Sequence, residues 1–220
     1  MHKLAMFSAN PSKVHFEGLV HLLRYIRYIN TLGLKYYADL NDAPVTDLLR
    51  QTNIKNKNHL MDFSDSSCQD CPDTGRITGI YIIFYLGGPI DHDTHVPGPV
   101  VQTSAESEYN AECTTGMALA HFRMLIHELL NKDPDIILEK VLLIFLDSKS
   151  AICMAKNGKD NKHTRHITRI MHLVRNEEKC KMQNIDWCEG GLQSVDIATK
   201  NVSEPDLTPR MKYIMVRLEK

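Results

Sequence analysis

No apolar run in this chain approaches the ~20 residues needed to cross a bilayer, and its first residues, MHKLAMFSANPSK, are neither a secretory leader nor an Arg-rich transit sequence. A membrane-spanning reading is therefore set aside, and the chain reads from its start like the middle of something longer. Excess charge is also lacking: the formal net charge is −1, so any affinity for nucleic acid has to come from a local basic patch. The six cysteines, Cys68, Cys71, Cys113, Cys153, Cys180 and Cys188, show no secreted-framework spacing. They read as reduced thiols in a cytosolic or nuclear setting. Cys68-x-x-Cys71 is followed by no second Cys or His pair at knuckle spacing, which favours two ordinary thiols over zinc, and His163-x-x-His166 reads as surface or packing. With no G-x-G-x-x-G, Gly87-Gly88 is a turn and not a dinucleotide loop. Internal repeats and low-complexity tracts are absent as well.

What is present is organised around residues 103 to 112, TSAESEYNAE. Thr103 with Glu106 three residues on forms a capping box, which starts a helix here. Downstream, Tyr109, Cys113, Met117, Ala120 and Met124 make one apolar stripe, and Ala118, Phe122, Leu125 and Leu129 another, so the helix is expected to be buried on more than one side. At about 100° per residue Glu108 falls near the line of Ala111, Leu119 and Phe122, with Glu106 roughly opposite. A buried carboxylate is costly unless it is paired or protonated. Glu108 thus calls for further acids or a metal.

The surrounding pattern is strand-rich. Residues 12 to 30 predict an amphipathic helix with Phe16, Leu19, Leu23, Ile26 and Ile29 on one stripe, 34 to 38 a short strand, and 41 to 58 a polar linker or exposed insertion. Residues 60 to 65, LMDFSD, alternate so that Met61, Phe63 and Asp65 share a face, and 77 to 86 predict a long strand ended by Gly87-Gly88-Pro89. Residues 91 to 99 read as loop and 100 to 102 as a third strand. VLLIFL, 141 to 146, is a central strand buried on both faces, with Asp147 at its end. Helices are expected over 148 to 156 and 163 to 181, a strand over 183 to 188, and a last helical turn containing Asp196. The order makes an α/β layer in which Asp65, Glu108, Asp147 and Asp196 stand at element ends and can converge at one rim. Hard oxygen ligands of that kind suit Mg²⁺ or Mn²⁺.

The chain contains, in order, NPSKVHFEGLVHLLRYIR, FSDSSC, GRITGIY, SAESEYNA, LDSKSAICMAKN, HTRHITRIMHLVR and SVDIATK. Together these strings resemble the end of a copia-type LTR retrotransposon Pol polyprotein, covering the last part of the reverse transcriptase and its ribonuclease H domain. Ser67 and Cys68 stand where the family commonly has a second acid and a tryptophan, HVPGPVVQTS where it has an S-K-K-Q-type segment, and no Tyr-x-Asp-Asp of a polymerase centre occurs. The resemblance implies a ribonuclease H-like fold, a mixed five-stranded sheet flanked by helices with an N-terminal helical extension. It divides the chain into a reverse-transcriptase remnant and connection (1 to 58), the ribonuclease H-like domain (59 to 200) and a C-terminal tail (201 to 220). It further implies endonucleolytic hydrolysis of the RNA strand of RNA–DNA hybrids, with two Mg²⁺ ions, or Mn²⁺, held by Asp65, Glu108, Asp147 and Asp196. Implied partners are the hybrid and the remainder of the polyprotein, with no membrane, in a cytoplasmic virus-like particle or the nucleus.

Each acid also has an ordinary reading. Asp65 fits a strand end, Glu108 and Asp196 fit first-turn acids favoured by the helix dipole, and Asp147 fits an N-cap. Glu112 is the alternative ligand from the central helix. Between 155 and 181 there are eight Lys or Arg against three Asp or Glu. Lys162, Arg165, Arg169, His172 and Arg175 are then either a solvated basic face or a stripe that holds hybrid phosphates. Two alternatives to the nuclease stand beside it: a decayed element whose fold survives as a non-catalytic or nucleic-acid-binding module, and an integrase-like nuclease. The second would need an Asp-Asp-Glu order and a zinc-binding head that are not found.

Overall fold

The structure is a computed structural model that describes residues 2–51, 60–67, 77–96, 103–130, 142–156, 168–180, 182–191, 193–199 and 204–218. The strand expected at 100 to 102 and the Cys68-x-x-Cys71 and His163-x-x-His166 pairs lie outside them. Helices α1 (His2–Ala5) and α2 (Lys13–Tyr28) open the chain, followed by a two-residue strand β1 (Leu32–Gly33) and a short helix α3 (Thr46–Gln51). The main sheet is built from β2 (Leu60–Ser67), β3 (Thr78–Tyr85), β4 (Gly88–His95), β5 (Leu142–Leu146) and β6 (Gln183–Trp187). Between and after these strands come α4 (Ser104–Leu130), α5 (Lys149–Lys156), α6 (Thr168–Lys179), α7 (Asp196–Thr199), α8 (Glu204–Ile214) and β7 (Val216–Arg217).

The sheet runs in the order β4-β3-β2-β5-β6. The first three strands form an antiparallel meander, and β5 and β6 continue it in parallel. That is the strand order and direction of the ribonuclease H-like fold. β5, LLIFL, is a continuous apolar run because both of its faces are covered, as parallel neighbours require, while β2, LMDFSDSS, is buried along nearly all of its length in spite of its polar residues. On one face Leu60, Tyr81, Ile83, Leu142, Ile144 and Ile185 pack under Tyr109 and Leu119 of α4 and Ala151 of α5. On the other, Met61, Phe63, Ile80, Ile82, Phe84 and Phe145 pack with Val195 and Tyr213. Phe63 stacks on Phe145 at 5.1 Å between ring centroids and meets Phe84 edge-on at 5.3 Å.

Four local expectations differ from the structure. Residues 91 to 99 do not begin as loop, because β4 runs to His95. Its composition, GPIDHDTH, hides a strand with a single partner, and an edge tolerates Pro89, especially next to the register shift at Ile83/Phe84. The strand at 34 to 38 is instead Leu32–Gly33, paired with the C-terminal β7. Residues 41 to 58 are not wholly an exposed linker, since Ala43 and Val45 are buried in the second core. Ala43 sits against the β3–β4 turn, where Leu86 (φ 52°) and Gly87 (φ 73°) both have positive φ, and a Cβ on Gly87 would come within 2.5 Å of that of Ala43. The boundary drawn at 59 and the tail drawn at 201 therefore separate segments that pack on one face of the sheet, where Ala43 and Tyr213 of α8 join the same core. On α2, by contrast, no residue is buried, and Phe16, Leu19, Leu23 and Ile26 are exposed.

The fourth difference concerns α4. Its apolar stripe fails at Met117 and Met124, both exposed, while residues 106 to 113 are all buried, Glu106 included. The inward line is partly polar: Glu112, Thr115 and Arg123 are buried beside Leu119. Gln183 Nε2 donates to Glu112 Oε1 at 3.1 Å. Asp62 of β2 is fully buried, and its carboxyl oxygens meet only the backbone N–H groups of Phe63 and Ile82, at poor hydrogen-bond geometry. Burial, and then the charge of Glu112, raises the Asp62 pKa well above the ordinary carboxyl value. Burial and then Glu177 do the same to Glu112.

These acids keep protons that exposed carboxyls lose, and the sign for stability follows. A raised folded-state pKa gives a contribution that is fully present below the unfolded value, near 4, and is lost as pH rises toward the folded one. Asp62→Asn is expected to stabilise the chain at pH 8, because the amide needs no proton to be neutral, by more than about 1.4 kcal/mol, the equivalent of one pKa unit, and to change little at pH 3. Urea unfolding at both pH values checks this, and a gain that is equal at the two contradicts it.

A candidate metal centre at the sheet rim

Asp65 and Asp147 are brought together by backbone register alone. In the parallel β2–β5 pair, Phe63 stands opposite Phe145. Two residues on from each, at the same rim, come Asp65 and Asp147. Glu108 arrives from above. Thr103 Oγ1 accepts from the Glu106 N–H at 3.2 Å, which fixes where α4 starts, and Ser107 Oγ donates to Ser66 Oγ at 2.6 Å, which ties the first turn to β2. One carboxylate oxygen each of Asp65, Glu108 and Asp147 lies within 4.8 Å of the other two. Asp65 and Glu108 are buried, and Asp147 is half-buried. Asp147 is also not the cap of the following helix. Ser148 takes that role, its Oγ accepting from the Ala151 N–H at 3.2 Å.

Three acids at this spacing repel one another in poorly solvated surroundings. The Glu108 pKa is pushed up to about 9, first by burial, then by Asp65 and Asp147, against a lowering hydrogen bond from Ser66. Glu108 Oε2 is buried with no hydrogen-bond partner among the described residues. An all-carboxylate donor set with an orphaned oxygen fits a hard divalent cation such as Mg²⁺ or Mn²⁺. The neighbouring thiol does not add a soft ligand, because Cys188 is buried and its pKa is pushed up to about 12, by burial first and then by Asp147 and Asp196.

Asp196, expected as the fourth member, does not share the 4.8 Å spacing of the other three. It is buried at the start of α7 and pairs with Arg210 of α8 at 3.3 Å. The loop before it is held by Gln193, whose Nε2 donates to the Ser64 carbonyl at 2.7 Å. Glu112, the alternative ligand, belongs to the buried polar line with Gln183 and not to the rim. Ser66, Gln193 and Arg210 were not singled out from the sequence. Their roles depend on contacts 41, 129 and 14 residues apart, which no local pattern records.

The basic stripe is only partly described. Lys162 and Arg165 lie outside the described residues, as does the side chain of Arg169, and His172 is exposed. Arg175 is corrected: it is buried, and its Nε donates to the Met154 carbonyl at 3.2 Å, tying α6 to α5. Helical projection places a residue on a face but does not show whether a long side chain folds back under it. Arg175 does not face solvent as a phosphate contact would.

Fold and rim together define a ribonuclease H-like domain with a carboxylate centre. Compared with known proteins, the chain is similar to the Retrovirus-related Pol polyprotein from transposon TNT 1-94 of Nicotiana tabacum, 25% identical over 213 residues, which is 96% of this chain. It spans 14% of that relative's length. No family model matches. Among solved structures it resembles LC11-RNase H1, isolated from compost, in complex with RNA/DNA hybrid (TM-score 0.47, 10% identity, 64% of this chain and 92% of that one). It also resembles RNase H1 from Halobacterium salinarum (TM-score 0.43, 14% identity, 64% and 94%) and the protease-reverse transcriptase of prototype foamy virus (TM-score 0.41, 13% identity, 74% and 21%). The fold assignment stands on the strand order itself. Among the described residues no helix is long and apolar enough to cross a membrane.

Because Glu108 holds its proton up to about pH 9, binding of a cation at pH 7 should expel about one proton. In the cation-free chain the stability linked to Glu108 is present below the unfolded carboxyl value near 4 and falls as pH rises toward 9. Mg²⁺ calorimetry in two buffers of different ionisation enthalpy is expected to show that release in the parent chain and to lose it in Glu108→Gln. Equal heats in both buffers for the parent would contradict it.

Proposed function

We propose that this chain carries a divalent-cation-dependent endoribonuclease that hydrolyses the RNA strand of RNA–DNA hybrids, as part of a retroelement Pol polyprotein active in a cytoplasmic virus-like particle or the nucleus. The observation that carries this reading is the convergence of Asp65, Glu108 and Asp147 within 4.8 Å at the open end of β2 and β5. Its similarity over most of its length to a retrotransposon Pol polyprotein supports the retroelement setting.

Asp65 and Asp147, side by side in register, form the floor that would hold the cations, and Glu108 closes it from the helix side. Bound there, a pair of Mg²⁺ or Mn²⁺ ions would activate the attacking water and stabilise the leaving 3′ oxygen. Ser66 steadies Glu108, and the Ser66–Ser107 hydrogen bond keeps α4 at the distance the three acids require. Gln193 keeps Asp196 close to β2, in reach to act as the fourth ligand once its pairing with Arg210 is loosened. For the hybrid, the exposed His172 and the basic residues Lys162, Arg165 and Arg169 are the proposed phosphate contacts. Residues 1–58 are proposed as the connection to the polymerase part and 59–200 as the catalytic domain, with 201–220 now assigned to its support.

A second reading, a non-catalytic remnant of the same fold, is favoured by one observation: Asp196 is sequestered by Arg210. Incubation with labelled RNA–DNA hybrid and Mg²⁺ separates the two. Cleavage by the parent chain is expected, reduced at least about 10²-fold in Asp147→Asn, the scale of removing one group that stabilises transition-state charge. Mg²⁺ binding without cleavage selects the remnant.

A further inference from the structure

Arg210 reaches Asp196 from a segment that the sequence marks only as a tail. One of its Nη atoms donates to Asp196 Oδ2 at 3.3 Å and to the Gly190 carbonyl at 3.1 Å. The arginine side chain is 15% exposed and the aspartate's 5%, so water screens this pair poorly. The guanidinium is also held in place. Tyr213, one turn further along α8, is buried in the core, and just past the helix β7 pairs with β1, Leu32 opposite Arg217 and Gly33 opposite Val216. Both anchors follow Arg210 in the chain, and with the Gly190 carbonyl they keep its guanidinium beside the carboxylate.

The rim therefore offers cations two unlike places. Asp65, Glu108 and Asp147 draw a cation by their own crowding, and a cation there relieves repulsion. Asp196 already has a counter-charge, so a cation that uses its carboxylate must share it with, or displace, a guanidinium of the same sign. We infer that Arg210 is an internal counter-ion that competes with a divalent cation for Asp196, so that the chain loads one cation readily at the three-acid cluster and a second only against the Arg210 pair. This rests on the cation-dependent reading given above and assigns Arg210 as a positioning residue that acts through Asp196.

Titration of the full chain with Mn²⁺, followed by calorimetry and by the paramagnetic resonance of free Mn²⁺, tests it. The parent is expected to show a tighter and a weaker site. Arg210→Gln should tighten the weaker site about tenfold, within the usual range of coupling between sites, and leave the tighter one within about twofold. Asp196→Asn should abolish the weaker site alone, and Arg210→Lys should stay near the parent. A merely structural arginine would shift both sites together or only the melting temperature. Should Arg210→Gln fail to fold, the parent chain itself provides the second measurement: the Arg210 Nε–H resonance, assigned by its absence from Arg210→Lys, must move in the second stage of a Mg²⁺ titration. An unmoved resonance at saturation, or weaker or unchanged second-site binding in Arg210→Gln, overturns the inference and leaves the nuclease proposal intact. A parent chain that binds no Mn²⁺ removes both.

Discussion

Mutual repulsion among three carboxylates is the constraint around which the rest of the molecule is arranged. Asp65, Glu108 and Asp147 are held within 4.8 Å of one another at a rim where burial already penalises charge. Within the cluster only the proton on Glu108 and its hydrogen bond with Asp65 ease that repulsion, so the scaffold has to impose the rest. It does so with a buried parallel strand pair, with the stacked Phe63 and Phe145 immediately behind the two aspartates, and with a helix pinned to β2 through Ser66 and Ser107. Hydrophobic burial on both faces of the sheet supplies the free energy that offsets the cluster.

Between the same helix and β2 lies a second set of buried acids that resolves the same conflict differently. Glu112 leans on Gln183, and Asp62 meets only the backbone N–H groups of Phe63 and Ile82, at poor hydrogen-bond geometry. Both are pushed toward the protonated form. At the rim, where Asp147 is only half-buried, a cation could take the place of the proton on Glu108, whereas Glu112 and Asp62 under α4 are fully buried. One helix thus presents an exchangeable carboxyl near its N-terminus and a locked one a turn later. The separation explains why Glu112, one turn from Glu108, belongs to the interior.

The segments flanking the domain are part of its mechanics. Ala43 buttresses the β3–β4 turn, β1 and β7 clasp each other, and α8 delivers Arg210 to Asp196. The fourth acid is thereby coupled to residues near both ends of the described chain, while the first three are coupled to the sheet. The rim is thus built on two independent supports, one for the three clustered acids and one for Asp196.

The elements read well from local pattern were those whose signal is local. β3 and β5 announced themselves as apolar runs because water is excluded from most of their length, β2 by the alternation of Met61, Phe63 and Asp65, and α4 by its cap at Thr103. β4 was missed because an edge strand with Pro89 and alternating Asp and His lacks that signal. The packing of Ala43 and Val45 was missed because their neighbours are polar. Chain order and residue type alone determined that four acids stand at element ends of an α/β layer. Only the tertiary structure decided that three of them meet, that Asp196 is held by Arg210, and that Arg175 turns inward to a carbonyl. Register across a parallel pair and ion pairs between distant segments are relations between parts of the chain, and a one-dimensional pattern carries no distance between them.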